Sequence, residues 1–196
     1  MVNYHYKDGQ TPIDADEKAD LIPYLTTLDE LNLFEQENII EAQKWLLTTS
    51  LKNIDIFDAN FLKKLHQKMF DRVWKWAGTF RKSNKNIGCE FYQIPTEIKN
   101  LQDDALFWLE NKTYKMQELA LVYHHRLVKI HLFANGNGRH ARIMADVIIK
   151  KFQGKALNWQ NISFKSFEDF RKEYISCLRK ADKGDYQNLF QLLITT

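Results

Sequence analysis

Residues 131–142 read His-Leu-Phe-Ala-Asn-Gly-Asn-Gly-Arg-His-Ala-Arg, a run whose side chains fit one reaction. His131 is the residue type that accepts a proton near neutral pH. Gly136 and Gly138 permit positive φ and the close approach of a ligand to the backbone. The residues that follow, with Ala141, Ile143, Met144, Val147, Ile148 and Ile149, recur near the helical period, so the loop feeds a helix N-terminus. Free amides and the partial positive charge of a helix start favour an anion. Arg139 and Arg142, three apart, add two planar cationic forks on one face, suited to phosphate. Any one of these features is common on an ordinary surface. Together and in this order, a base beside a polyphosphate cradle points to transfer of a phosphate-containing group to an acceptor.

Such a loop must be held between rigid elements. Upstream, Tyr114 to Ile130 is apolar at Leu119, Ala120, Val122, Tyr123, Leu127, Val128 and Ile130, which predicts a central buried helix ending at the motif. Downstream, the helix from Arg139 to Phe152 stops at Gly154. Ahead of them, Gly9 and Pro12 break the chain, and Asp14 to Ile22 reads as a short helix ending before Pro23. Thr27-Leu-Asp-Glu30 fits a capping box and opens a helix to about Thr49, burying Leu31, Phe34, Ile39, Ala42, Trp45 and Leu46. Asp58 caps the next helix, which carries Phe61, Leu62, Leu65, Met69, Val73 and Trp76. Thr96 to Asn111 is amphipathic. Ser166 caps a helix through Ala181, and Asp185 caps a last one with Leu189, Phe190, Leu192 and Leu193. Only 83–95 is non-helical: Lys85 to Cys89 and Glu90 to Pro95 read as a short β-hairpin bounded by glycine and proline. The expected fold is mainly α, a single-domain helical bundle with a small β-hairpin flap. Its expected parts are an N-terminal helical extension (1–57), a core (58–155) and C-terminal helices packed on that core (156–196).

Composition narrows the function. A chain of 196 residues can bury one sizeable core, and its seven glycines and three prolines argue against a turn-rich all-β fold. A net charge of +3 accommodates anionic ligands without pointing to nucleic acid, and the motif helix is too apolar to sit in a DNA groove. Cys89 and Cys177 form no metal or disulfide pattern, as expected of a cytoplasmic protein. The opening residues, Met1 to Gly9, lack the apolar core of a signal peptide, and no apolar run approaches membrane-spanning length. His124, His125, His131 and His140 lack the spacing that pairs imidazoles on one helix face with an acid, so zinc is not expected. No Walker lysine follows the glycines.

The motif resembles the signature of the Fic family, His-x-Phe-x-(Asp/Glu)-Gly-Asn-Gly-Arg-x-x-Arg, at His131, Phe133, Gly136, Asn137, Gly138, Arg139 and Arg142. Leu132 stands where a proline is usual, and Asn135 where the family has an acid. Trp76-Ala-Gly-Thr-Phe-Arg81 resembles a second Fic segment. The flanks resemble a Fic subgroup called mobile mystery protein B, usually encoded beside a helix-turn-helix partner. The resemblance implies a Fic-like helical fold and, most commonly, transfer of AMP from ATP to a Ser, Thr or Tyr hydroxyl of a target protein. It assigns His131 as base, the amides of Gly136 to Gly138 and the Asn137 side chain as phosphate stabilisers, and Arg139 and Arg142 as holders of the distal phosphates. Mg²⁺ would bridge the phosphates, with Asn135 a weak ligand. A flap comprising Ile87, Gly88, Cys89, Glu90, Phe91 and Tyr92 would dock the target through an exposed edge strand.

Fic enzymes are often restrained by a glutamate that pairs with the motif's second arginine, and here the expectation falls on Glu30, with control by a helix-turn-helix or antitoxin-like regulator as the alternative. Relatives with altered motifs transfer phosphate or phosphocholine, and a degenerate nucleotide-binding module is the non-enzymatic alternative.

Overall fold

The computed structural model describes residues 14–159 and 166–194. The breakers Gly9 and Pro12 and the opening residues Met1 to Gly9 lie outside the described residues.

Among the described residues eight α-helices follow one another: α1 (Ala15–Ala19), α2 (Leu28–Thr48), α3 (Ala59–Phe70), α4 (Ile94–Glu110), α5 (Met116–Ile130), α6 (Asn137–Lys151), α7 (Phe167–Ala181) and α8 (Gln187–Leu193). Their starts are written in local chemistry. Asp14 and Thr27 each close a capping box, with Glu17 and Glu30, and Ser166 accepts from the Asp169 amide. α5 is buried on nearly every side, including Leu119, Leu121, Tyr123 and Leu127, and it packs most extensively on α6. α2 lies on α3, α4 on α5, and α7 on α8. The loop between α5 and α6 is therefore strung between the two most deeply packed helices. Among the described residues, no helix is long and apolar enough to cross a membrane.

Two expectations are corrected. The helix from Asp58 does not reach Trp76; α3 ends at Phe70. The chain turns because its next residues pair elsewhere. Val73 O accepts from the Ile22 amide, the Lys75 amide donates to Asp20 O, and Trp74 forms a single antiparallel bridge with Leu21. Nor is there a hairpin at 83–95. A looped segment leads into one 3-10 turn, Phe91–Gln93, and straight into α4, whose first turn holds Pro95. The backbone groups a hairpin would pair are taken by side chains: Asn84 Oδ1 accepts from the Phe91 amide at 2.9 Å, and Arg81 binds Cys89 O. The flap is anchored from below, where Lys85 Nζ, its side chain only 6% exposed, pairs with Asp14 at 3.0 Å and Glu17 at 2.5 Å.

Candidate active site

His131 is the first residue past α5 and adopts a left-handed conformation, φ 60° and ψ 67°. For a residue with a Cβ this costs about 1–2 kcal/mol, so the surroundings must impose it. Arg81 does so from the flap side. Its Nε donates to His131 O at 2.6 Å and its backbone N–H to Leu132 O at 3.0 Å. Its remaining donors reach Ser83 O (2.9 Å), Ile130 O (3.4 Å) and Cys89 O. Gly88, at φ 109°, lies directly against His131: a Cβ there would come within 2.6 Å of His131 Cβ. His131 is buried, and burial first, then the nearby Arg81 charge, hold its imidazole down at about 4. It is neutral at physiological pH and able to take a proton.

The loop that follows is closed by its own side chains. Phe133 N–H donates to Asn137 Oδ1, and Asn137 Nδ2 donates to Phe133 O, both at 2.8 Å. Both polar groups of Asn137 thus shape the loop, which corrects the expectation that this side chain faces the phosphates. Phe133 is fully buried and stacks on His66, with ring centroids 3.7 Å apart. His66 Nδ1 accepts from the Gly78 amide (3.0 Å), so Nε2 carries the proton and donates to Asn135 O (3.1 Å). Asn135 Oδ1 accepts from the Gly136 amide at 2.6 Å.

Gly136 is the N-cap of α6 at φ 77°, and a Cβ there would strike the Phe70 ring at 2.6 Å. Gly138 differs from expectation: it is helical, not at positive φ. Its absent side chain leaves open space: beyond its chain neighbours and its own helix backbone, no protein atom lies within 4 Å of where a Cβ would stand. The first residues of α6, whose amides have no intrahelical acceptor, line the cleft.

The two arginines have different surroundings. Arg139 Nη1 pairs with Glu35 Oε2 at 2.7 Å, and its guanidinium lies over Phe70. Arg142 forms no ion pair among the described residues. Its guanidinium lies 5.3 Å from the Tyr174 ring centroid, its Nε is buried without a hydrogen-bond partner, and Tyr174 OH bonds His124 Nε2 at 2.6 Å. Glu30 is corrected: it is exposed, its carboxylate accepts from Thr26 and Thr27 in the α2 cap, and it does not line the cleft.

One cleft of about 1180 Å³ brings together His131, Asn135 to Arg139 and Arg142. Glu35 and Ile87 to Cys89 also line it, whereas Glu90, Phe91 and Tyr92 do not. Glu90 is bonded to Asn84, and Tyr92 is 66% exposed. Among the described residues, no three His, Cys, Asp or Glu side chains are grouped to hold a metal. Sequence reasoning missed Glu35, His66 and Tyr174, and gave Arg81 no role. Glu35 had a signal, being an acid on the buried stripe of α2 with Leu31, Asn38, Ala42 and Leu46.

The Fic/DOC family model matches residues 56–149. A protein of Aquifex aeolicus (strain VF5) named a "probable protein adenylyltransferase" is 27% identical over 162 residues, covering 80% of this chain and 48% of that protein. The protein adenylyltransferase Fic of Aedes aegypti is 24% identical, covering 81% and 31%. This chain thus spans less than half the length of these curated relatives. The crystal structure of the BepC effector of Bartonella tribocorum with bound AMPPNP shares the fold, with a TM-score of 0.67 and 19% identity over 93% of this chain and 100% of that one.

Proposed function

We propose, from the match of residues 56–149 to the Fic/DOC family model, that the chain moves the AMP moiety of ATP onto a Ser, Thr or Tyr hydroxyl of a target protein. The observation that carries this reading is a neutral, buried His131 at one end of a loop whose other end is the open N-terminus of α6. His131 takes the hydroxyl proton as the oxygen attacks the α-phosphorus, and pyrophosphate leaves. A placed base contributes ~10²–10⁴ in rate. The first amides of α6 stabilise the growing charge on the phosphate, and the gap at Gly138 gives it room. Arg142, with a buried Nε that has no protein partner, holds the distal phosphates. Arg139 joins it once released from Glu35.

Mg²⁺ at nucleotide sites takes most of its ligands from phosphates and water. Asn135 would offer Oδ1 as a single neutral ligand, through the second lone pair of the oxygen that accepts from the Gly136 amide. When bound, the ion neutralises phosphate charge. The names of the curated relatives and the AMPPNP in the Bartonella structure support ATP as donor. The target docks beside the flap, where Ile87 and Gly88 border the cleft and Phe91 and Tyr92 are exposed.

Incubation of the protein with cell lysate, Mg²⁺ and ATP labelled at the α or the γ position tests this. Label entering protein from the α position alone is expected. Label from γ alone makes the protein a phosphotransferase. ATP binding with no label from either position makes it a binding module.

A further inference from the structure

Arg81 is buried, 5% exposed, yet no carboxylate pairs with it among the described residues. A buried guanidinium is costly unless its donors are satisfied. Here the acceptors are four carbonyls from two segments. Ile130 O and His131 O belong to the end of α5, where the helix dipole favours a cation. Ser83 O and Cys89 O bracket the flap. A lysine ammonium could not span these four points, whereas a planar fork does. Carbonyls carry no full charge, so the Arg81 charge still bears on the His131 imidazole.

We propose that Arg81 is the positioning residue of the site, fixing the left-handed His131 and the flap against each other so that the target hydroxyl and the base arrive in register. This rests on the reading of His131 as the base. Arg81 holds His131 in three ways. It bonds the His131 carbonyl through Nε and the next carbonyl, Leu132 O, through its own amide. It binds Cys89 O, and so keeps Gly88 against His131 Cβ. Its charge, with that of Lys85, disfavours the imidazolium. A docked segment that shifts the flap at Cys89 shifts the base through one side chain.

The test compares Arg81→Gln and Arg81→Lys with the unaltered protein. The His131 imidazole is titrated by NMR, its signal assigned by its loss in His131→Ala. In Arg81→Gln the midpoint should rise, and in Arg81→Lys it should stay low. Transfer of α-label to lysate proteins should fall ~tenfold or more in both, since reacting groups out of register lose rate steeply. Affinity for a fluorescent ATP analogue should stay within about twofold, because Arg81 lies outside the phosphate cradle. An unmoved His131 midpoint in Arg81→Gln, unchanged transfer in either variant, or affinity lost in step with rate overturns the proposal. Should the variants not fold, the unaltered protein still decides. Its Arg81 Nε proton must be protected from water exchange, and exchange as fast as that of an exposed arginine sinks the idea. If the unaltered protein transfers no label, the enzymatic reading fails alone and the His131 titration still judges the positioning.

Discussion

The Glu35 carboxylate bridges α2 and α6: Oε2 lies 2.7 Å from Arg139 Nη1, while Oε1 accepts from Trp74 Nε1 at 2.7 Å. Glu35 is 4% exposed, so this charge faces the cleft in a poorly screened setting. Incoming phosphates must compete with it for Arg139 and are repelled by it. Glu35→Gln keeps an acceptor for Trp74 and removes the charge. A charge-assisted hydrogen bond is worth about 1.5–3 kcal/mol, so ATP affinity should rise roughly tenfold or more. Calorimetric titration checks this, and equal affinity for both proteins would mean that Arg139 takes no part in holding the nucleotide.

The pH dependence of transfer should be unusual for a histidine base. His131 sits at about 4, below its ordinary 6.5. The base is competent when deprotonated, so the rate should hold level on the His131 side from neutrality down to about pH 5 and fall only below that. A profile of kcat/KM with its acid limb near 6.5 would show that the base is solvated in the working enzyme.

Arg142→Ala should weaken ATP by roughly tenfold or more while leaving AMP within about threefold, because a charged hydrogen bond to a distal phosphate is lost only for ATP. Parallel binding curves decide. Equal weakening of both nucleotides would move Arg142 to the α-phosphate.

Asn135→Asp supplies the carboxylate that the loop lacks. The magnesium concentration for half-maximal transfer should drop several-fold, and turnover should rise. A full Mg²⁺ titration of both proteins measures it. An aspartate variant no faster than the parent at any concentration would mean that the amide is not limiting.

Fold stability should decline in mild acid. His124 at about 3, His131 and His140 at about 4, and His66 well below its ordinary value are all held neutral chiefly by burial. Above pH 6.5 these groups are neutral in folded and unfolded chains alike, and stability is independent of them. As pH falls from 6.5 towards 4 the unfolded chain binds protons that the folded chain refuses. Each group then removes up to about 1.4 kcal/mol per pH unit. Thermal unfolding should therefore show a midpoint well below its pH 7.5 value at pH 5.5; equal midpoints would mean that these imidazoles are hydrated.

What could be read from the sequence follows from how far apart the interacting groups lie. Thr27 and Glu30, or Ser166 and Asp169, are three residues apart, and their caps are visible in the chain itself. The chemistry of 131–142 is compact for the same reason. Glu35 and Arg139 are 104 residues apart, so only the helical stripe carrying an acid hinted at the pair. The flap misled because the Asn84 and Arg81 side chains take the backbone groups that would have paired as strands, which no alternation of residue types reveals. Nothing near Trp74 in the chain points to Glu35, 39 positions earlier, whose carboxylate its indole reaches.

Lys85 bears on where this molecule can be cut. Its ammonium ties the flap to Asp14 and Glu17, far upstream of the family-matched stretch. Glu35, which holds Arg139, and Tyr174, which backs Arg142, also fall outside residues 56–149. An excised fragment limited to that stretch would retain every motif residue yet lose the supports of the flap and of both arginines. A piece that keeps these side-chain tethers must therefore include everything between Asp14 and Tyr174, a longer stretch than the family match alone marks out.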